Sequence, residues 1–229
     1  MKVLVVAATN KEVYPLRNKL EFVHQIEKNF SSYKYEDLSV DILVTGIGSV
    51  FTTYYLTKIL SLLSYDIAFN IGITGSFDHF LEIGYVVNVV EDQFSDLGVE
   101  DNDAFYTLIE KEMLDGEQYP FTNGVLQNET PFTFNEIDKL ISVKGITVNT
   151  VHGKKQSIEM VQDKFKPEVE SMEGAAFFYV CMSENIPFYQ IRSISNYVEI
   201  RNIENWNVSL AIDNLTKVMI NIFSEIHDL

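Results

Sequence analysis

Two carboxylates, a carboxamide and an arginine stand where a chain of alternating strands and helices would gather a ligand. Glu12 follows the apolar run KVLVVAA (2–8) by about one helical turn. Glu173 lies in the acid-rich stretch PEVESMEGAA (167–176), and Arg192 and Asn196 close the run IPFYQIRSISN (186–196). A carboxylate such as Glu173 can accept hydrogen bonds from both vicinal hydroxyls of a ribose, and its charge favours positive charge developing on the sugar. Met172 offers a soft apolar surface to the same sugar, although a methionine at helical spacing is also ordinary core. The acids of this stretch have a structural explanation too, because carboxylates in a first helical turn are stabilised by the helix dipole. Asn196 carries a carbonyl and an NH2, so it can accept and donate at once. It equally suits a turn at a strand end.

The elements that must position these groups are legible in outline. Strand-like runs occupy 2–8, 40–46, 66–72, 85–92, 145–151 and 188–194, rich in Val and Ile and bounded by Gly, Asp, Asn or Pro. Helix-like stretches cover 50–63 and 172–185, and Ala211, Ile212, Leu215, Val218, Met219, Ile222 and Phe223 recur at helical spacing near the C-terminus. Strands apolar on both faces, alternating with helices, predict an α/β fold of three layers, α/β/α, with a central mixed, twisted sheet. With no repeat, low-complexity tract or Pro- and Gly-rich linker, residues 1–229 read as a single domain. Ligands of such sheets sit at the carboxyl ends of strands. There the chain places TGIGSV, NIGITGS (with Gly75 and Ser76), NTVHG and RSISN. Loops of this kind can present backbone N–H groups to a ligand.

Several chemistries are excluded. TGIGSVF is not a dinucleotide fingerprint, because Phe51 stands where G-x-G-x-x-G needs its third glycine, and the glycines suit a tight strand-to-helix turn. No phosphate-binding G-x-x-x-x-G-K-[ST] and no G-x-S-x-G elbow occurs. Four histidines and one cysteine show no metal-ligand spacing, so neither metal nor cofactor is expected. The net charge of −16 repels polyanions and argues against a nucleic-acid partner. No stretch approaches the roughly eighteen apolar residues of a membrane span. The lone Cys181 rules out a disulfide framework, and together these features point to the cytosol.

KVLVVAATNKEV, TGIGSV, NIGITGS, LEIGYVVNVVEDQFSDLG (81–98), VESMEGAA and IRSISN, in this order, resemble the nucleoside phosphorylase and nucleosidase superfamily. Within it, DLG after the fourth strand-like run, TVNTV, and ISNYVE-x-R followed by Trp206 resemble the futalosine hydrolases. The resemblance implies a water-activating Glu12, with Arg192 orienting Glu12 or the water. It implies that Glu173 binds ribose, that Gly75 and Ser76 position the water, and that Val151 lines the base pocket. Its substrate would be a small nucleoside, and its product hypoxanthine released by hydrolysis of futalosine, in an alternative menaquinone route. It also implies a homodimer or higher homo-oligomer, in which Phe105 is a candidate to cap a neighbour's pocket.

The related methylthioadenosine/S-adenosylhomocysteine nucleosidases carry Asp where this chain has Asn196. Hypoxanthine presents two acceptors, N7 and O6, where adenine pairs N7 with a donor amine. An ionised Asp would repel O6, whereas Asn can donate to O6 and accept from N7–H as the leaving base gains a proton. Phosphorylases usually hold their phosphate with several arginines. This chain has three, Arg17, Arg192 and Arg201, and no Arg or Lys flanks the loops GIGSV and GITGSF. Hydrolysis is therefore expected. An adenine nucleosidase, a purine nucleoside phosphorylase and a non-catalytic nucleoside-binding protein remain as alternatives. Arg201, just past the site loop, is a candidate partner for the carboxylate of futalosine.

Overall fold

A computed structural model describes residues 1–102 and 104–227. The chain opens with β1 (Lys2–Ala7), α1 (Asn10–Arg17), β2 (Glu21–Glu27), β3 (Phe30–Tyr35), β4 (Leu38–Val44) and α2 (Ser49–Leu60). The central strand β5 (Ile67–Ser76) is followed by β6 (Val86–Asp92), the ribbon β7 (Gly98–Asp101) and β8 (Ala104–Thr107), and the short β9 (Leu126–Gln127). Then come α3 (Asn135–Asp138), β10 (Ile141–Thr147), α4 (Lys155–Phe165), β11 (Val169–Ser171), α5 (Gly174–Ser183), β12 (Phe188–Tyr197) and α6 (Val208–His227).

The apolar runs become strands because both of their faces are covered. In β1, Val3, Val5 and Ala7 pack with Val13, Leu16, Leu215 and Phe223, which places α1, α3 and α6 on one side of the sheet. Leu4 and Val6 point the other way, toward Leu56, Ile59, Phe177 and Phe178 of α2 and α5. Strand periodicity of two delivers alternate residues to the two layers, so a continuous run of Val and Leu is what a three-layer fold needs. Each fully buried Leu or Phe contributes about 1.5–3 kcal/mol.

The main sheet has ten strands in the order β11-β10-β6-β12-β5-β1-β4-β3-β2, with β9 added to β6. It is mixed, as expected: β1 runs parallel to β4 and β5, and β5 parallel to β12, whereas β12 and β6 are antiparallel. One feature lies outside the expectation. β11 pairs with β10 on one side and with β5 on the other, so β5, β12, β6, β10 and β11 form a closed ring. The stretch read as a helix start is thus partly a strand: Val169, Glu170 and Ser171 extend along the sheet, and helix α5 begins only at Gly174. Helix-dipole stabilisation therefore does not account for Glu168 or Glu170. Strand pairing to Gly75 and Ser76 fixes the position of this segment instead. The strand read at 145–151 also shifts earlier, to Ile141–Thr147.

Candidate active site

A cavity of about 440 Å³ opens at the carboxyl ends of β1, β5 and β12. Its chemistry is built around two glycines of the central strand.

Glu12 is the third residue of α1, and Thr9 caps that helix. The Thr9 N–H and hydroxyl both donate to Glu12 Oε2, at 2.9 and 2.8 Å, and the Ile73 N–H donates to Oε1 at 3.1 Å. This reciprocal cap fixes the helix start and the carboxylate together. A carboxylate oxygen can accept more than one hydrogen bond, so Oε1 retains capacity for a water. Gly72 leaves room for both Glu12 and Arg192. A Cβ placed there would lie 2.5 Å from Arg192 Nη1 and 2.6 Å from Glu12 Oε1. The absence of a side chain lets both groups lie against the strand backbone at this point, although the ion pair that Arg192 makes is with Glu173.

Arg192 is 1% exposed, with Nη1 3.7 Å from Glu173 Oε2. Its Nε and Nη2 have no hydrogen-bond partner among the described residues. Glu173, at the N-cap of α5, accepts the Gly48 N–H at 2.9 Å. Burial pushes its carboxyl above the ordinary 4.5, while Arg192 and the Gly48 N–H pull it down and Glu12 adds to the rise. Gly46 and Gly48 have φ of 95° and 104°, which makes TGIGSV the tight turn expected, since only glycine takes these angles without strain. The same turn aims an N–H at Glu173, a role the sequence did not disclose.

Beneath this floor lies a fully buried Asp92, which accepts from Gln190 Nε2 and from Thr147 Oγ1, both at 2.9 Å. Thr147 in turn accepts the Ala175 N–H at 2.7 Å, so the group anchors the first turn of the helix that follows Glu173. Gly174 has no room for a side chain, because a Cβ would lie 2.0 Å from Asp92 Oδ2.

The structure brings Asn196 and Gly75 together. Asn196 on β12 pairs with Gly75 on β5, and a Cβ on Gly75 would lie 3.2 Å from Asn196 Nδ2 and 2.9 Å from Val198. The amide is oriented on both sides: Ser195 Oγ donates to Oδ1 at 2.7 Å, and Nδ2 donates to the Tyr197 carbonyl at 3.0 Å. Val151 and Met172 also border the cavity. Met172 packs at the same time against Ile146, Val148 and Val161, which is the ordinary core role.

Ser76 is not brought to the cavity. Strand β5 runs on through residue 76, and the Ser76 hydroxyl is fully buried, 2.9 Å from the Asp78 carbonyl and 3.2 Å from that of Glu168. Its oxygen accepts the Asp78 N–H at 3.1 Å. Phe105, a candidate for a neighbour's pocket, lies away from this chain's own cavity. It packs over Gly98, with Lys164 5.7 Å from its ring centre, and borders a different cavity beside α4. Arg201 does reach the cavity, stacked on Trp206 with its guanidinium carbon 5.4 Å from the ring centre. His152 and Glu170 also border the cavity, and sequence reasoning assigns neither a role there. They are joined by hydrogen bonds from the His152 N–H and from Nδ1 to the two carboxylate oxygens. No local motif links residues 18 positions apart on different elements.

The 5'-methylthioadenosine/S-adenosylhomocysteine nucleosidase of Bacillus licheniformis is 29% identical over 202 residues, covering 86% of each chain. Among solved structures, the nucleosidase of that name from Streptococcus pneumoniae, in complex with 8-aminoadenine, superposes with a TM-score of 0.83 at 18% identity, over 98% of this chain and 100% of that one. Futalosine hydrolase of Helicobacter pylori strain 26695 superposes with a TM-score of 0.80 at 16% identity, over 98% of both chains. These relatives and neighbours are nucleosidases, N-glycosyl hydrolases, and their shared architecture is the mixed α/β fold described above. The phosphorylase-superfamily profile matches residues 2–227, nearly the whole chain, and the protein belongs to that superfamily.

Proposed function

We propose that the protein hydrolyses the N-ribosidic bond of futalosine, releasing hypoxanthine and dehypoxanthine futalosine. The observation that carries this reading is a cavity bordered by two buried carboxylates, Glu12 and Glu173, the second 3.7 Å from Arg192 Nη1, and by an oriented carboxamide, Asn196.

Cleavage of an N-riboside develops oxocarbenium character at the sugar, as O-glycoside cleavage does. Glu173 holds the ribose hydroxyls and offers negative charge to that cation. Glu12 accepts a proton from the attacking water as general base. Arg192 keeps both carboxylates in register. Asn196 stabilises the departing base through O6 and N7–H. A carboxamide is no acid, so the proton reaching N7 comes by way of solvent. Hydrolysis rather than phosphorolysis is supported by the glycine turn, whose Gly48 N–H is already taken by Glu173 and is not open to a phosphate.

The curated relatives favour a second reading, cleavage of methylthioadenosine or S-adenosylhomocysteine. Asn196 in place of an acid disfavours it. One assay separates the two: futalosine, inosine and methylthioadenosine are each incubated with the protein, with and without phosphate, and the released base and sugar are identified. Hypoxanthine with free sugar, independent of phosphate, supports the main reading. Adenine release supports the second, and a requirement for phosphate excludes hydrolysis. The raised carboxyl of Glu173 adds a pH signature. Its ionised form is the active one, so kcat/KM should fall as pH is lowered, with a midpoint above the ordinary 4.5 of a glutamate. An acid limb at or below that value would remove Glu173 from the reacting centre.

A further inference from the structure

Four carboxylate residues border the cavity among the described residues: Glu12, Glu170, Glu173 and Glu199. Glu12 and Glu173 have tasks in the reading above, and Glu199 is tied to the Asn205 amide at 2.9 Å on the outer loop. Glu170 is left, and it is only 5% exposed. It lies on β11 opposite Gly75, and Asn196 lies on β12 opposite the same glycine. The carboxylate and the carboxamide therefore flank one point of the central strand and border one cavity.

His152 determines what Glu170 can do. Its backbone N–H donates to Oε1 at 3.0 Å, and its ring Nδ1 is hydrogen-bonded to Oε2. Two donors from one residue fix the carboxylate in place as an acceptor, with capacity left on each oxygen. Asn196 cannot complete the recognition of a base alone. With Ser195 and Tyr197 engaged, its amide keeps one edge for N7 and the substituent at C6. Nothing on Asn196 remains for ring position 1. That position separates the two purine classes by a proton: a 6-oxopurine carries N1–H, a donor, and adenine carries a bare N1, an acceptor. A buried carboxylate is satisfied by the first and faces an unpaired lone pair in the second.

We propose that Glu170, held by His152, accepts the N1–H of a 6-oxopurine base and is a specificity-determining residue of this site. The proposal rests on the nucleosidase reading and extends it, giving the enzyme a second point at which hypoxanthine is told from adenine.

The test uses free bases and the full chain. Binding of hypoxanthine, 1-methylhypoxanthine and adenine is measured by calorimetry for the wild type and for Glu170→Gln. In the wild type, hypoxanthine should bind roughly 100-fold or more tighter than either of the others, as expected of a site built around one donor. In Glu170→Gln the side-chain amide can turn to donate to a bare N1, so the preference for hypoxanthine over adenine should shrink at least tenfold. Equal wild-type binding of hypoxanthine and 1-methylhypoxanthine overturns the proposal whether or not the variant folds. A preference unchanged in a folded Glu170→Gln protein overturns it as well. If futalosine is cleaved while either of those results is obtained, the nucleosidase reading stands and only the role of Glu170 falls. If no purine binds and no nucleoside is cleaved, both fall together.

Discussion

The floor and the rim of the cavity are built on opposite plans. On the floor, Glu12, Glu173 and Arg192 are 7%, 6% and 1% exposed; Glu12 is held by the backbone N–H groups of Thr9 and Ile73, and Glu173 by that of Gly48. On the rim, Arg201 and Asn202 are exposed; the loop from 198 to 206 is tied to the body by the Val198 and Arg201 N–H groups, which donate to the Ser76 and Gly153 carbonyls at 2.7 and 3.4 Å, and otherwise by local contacts such as the Asn202 cap on Glu204 and the stacking of Arg201 on Trp206. The floor is preorganised, which is what a charge-developing reaction needs. The rim has freedom to suit the substituent that distinguishes one nucleoside from another. On the proposed reading, the chemistry at the sugar rests on the floor and recognition of the substituent beyond the nucleoside rests on the rim.

Glu12→Gln tests the floor most severely. Glutamine at the third helical position still completes the cap on Thr9, so the fold should persist, but the general base is lost. We expect kcat to fall by about 10²–10⁴ with hypoxanthine binding unchanged, as read by product release and calorimetry. A loss below tenfold would place the base elsewhere. Gly72→Ala comes next. Its Cβ would intrude within 2.6 Å of both Arg192 and Glu12 and displace the pair. A misplacement of this kind costs about 100-fold in kcat. Full activity in a folded Gly72→Ala protein would show that the two side chains need not share this space.

On the rim, Arg201→Ala should raise KM for futalosine about tenfold and spare inosine, because only futalosine brings a carboxylate for the guanidinium to meet. Equal changes in the two substrates would erase the division of labour between floor and rim. The smallest effect concerns stability. Burial lifts the Asp92 carboxyl from its ordinary 3.8 to about 6, against the hydrogen bonds of Gln190 and Thr147 and the charge of Arg192. A carboxyl raised on folding contributes stability that is complete below its unfolded pKa and is lost as pH climbs through about 6, in total on the order of 3 kcal/mol. The proton also has a place to go, since Gln190 Oε1 lacks a hydrogen-bond partner among the described residues. Asp92→Asn should flatten the pH dependence of the denaturation midpoint through this range. Identical slopes in the two proteins would mean that Asp92 is ionised throughout.

Much of this was legible in the sequence, and the failures follow a pattern. The six apolar runs are strands because burial on both faces leaves an unmistakable hydrophobic signature, as in VVNVVED. β2, EFVHQIE, is largely exposed and β3, FSSYKY, is half polar, so neither carries that signature. β11 is three residues long with a glutamate at its centre, and only its long-range pairing makes it a strand. Glu12, Glu173, Arg192 and Asn196 could be singled out because they follow strand ends or stand beside a glycine-bearing helix start. Glu170, His152 and Asp92 were not, because their partners come from distant segments and no spacing announces them. Ser76 was misplaced because the chain there continues as strand where a loop was read, and its hydroxyl turns to the backbone.

The ring of five strands leaves the long sheet open at β2, whose residues are mostly exposed and include Phe22, Val23 and Ile26. Unpaired peptide groups beside apolar side chains invite another chain to add itself there. The pairing of β2 with β3 slips register twice, between Phe22 and His24 and between Gln25 and Glu27, and Glu21 and Glu27 add negative charge. Those irregularities make this border a poor template and protect the chain against uncontrolled edge-to-edge growth along β2.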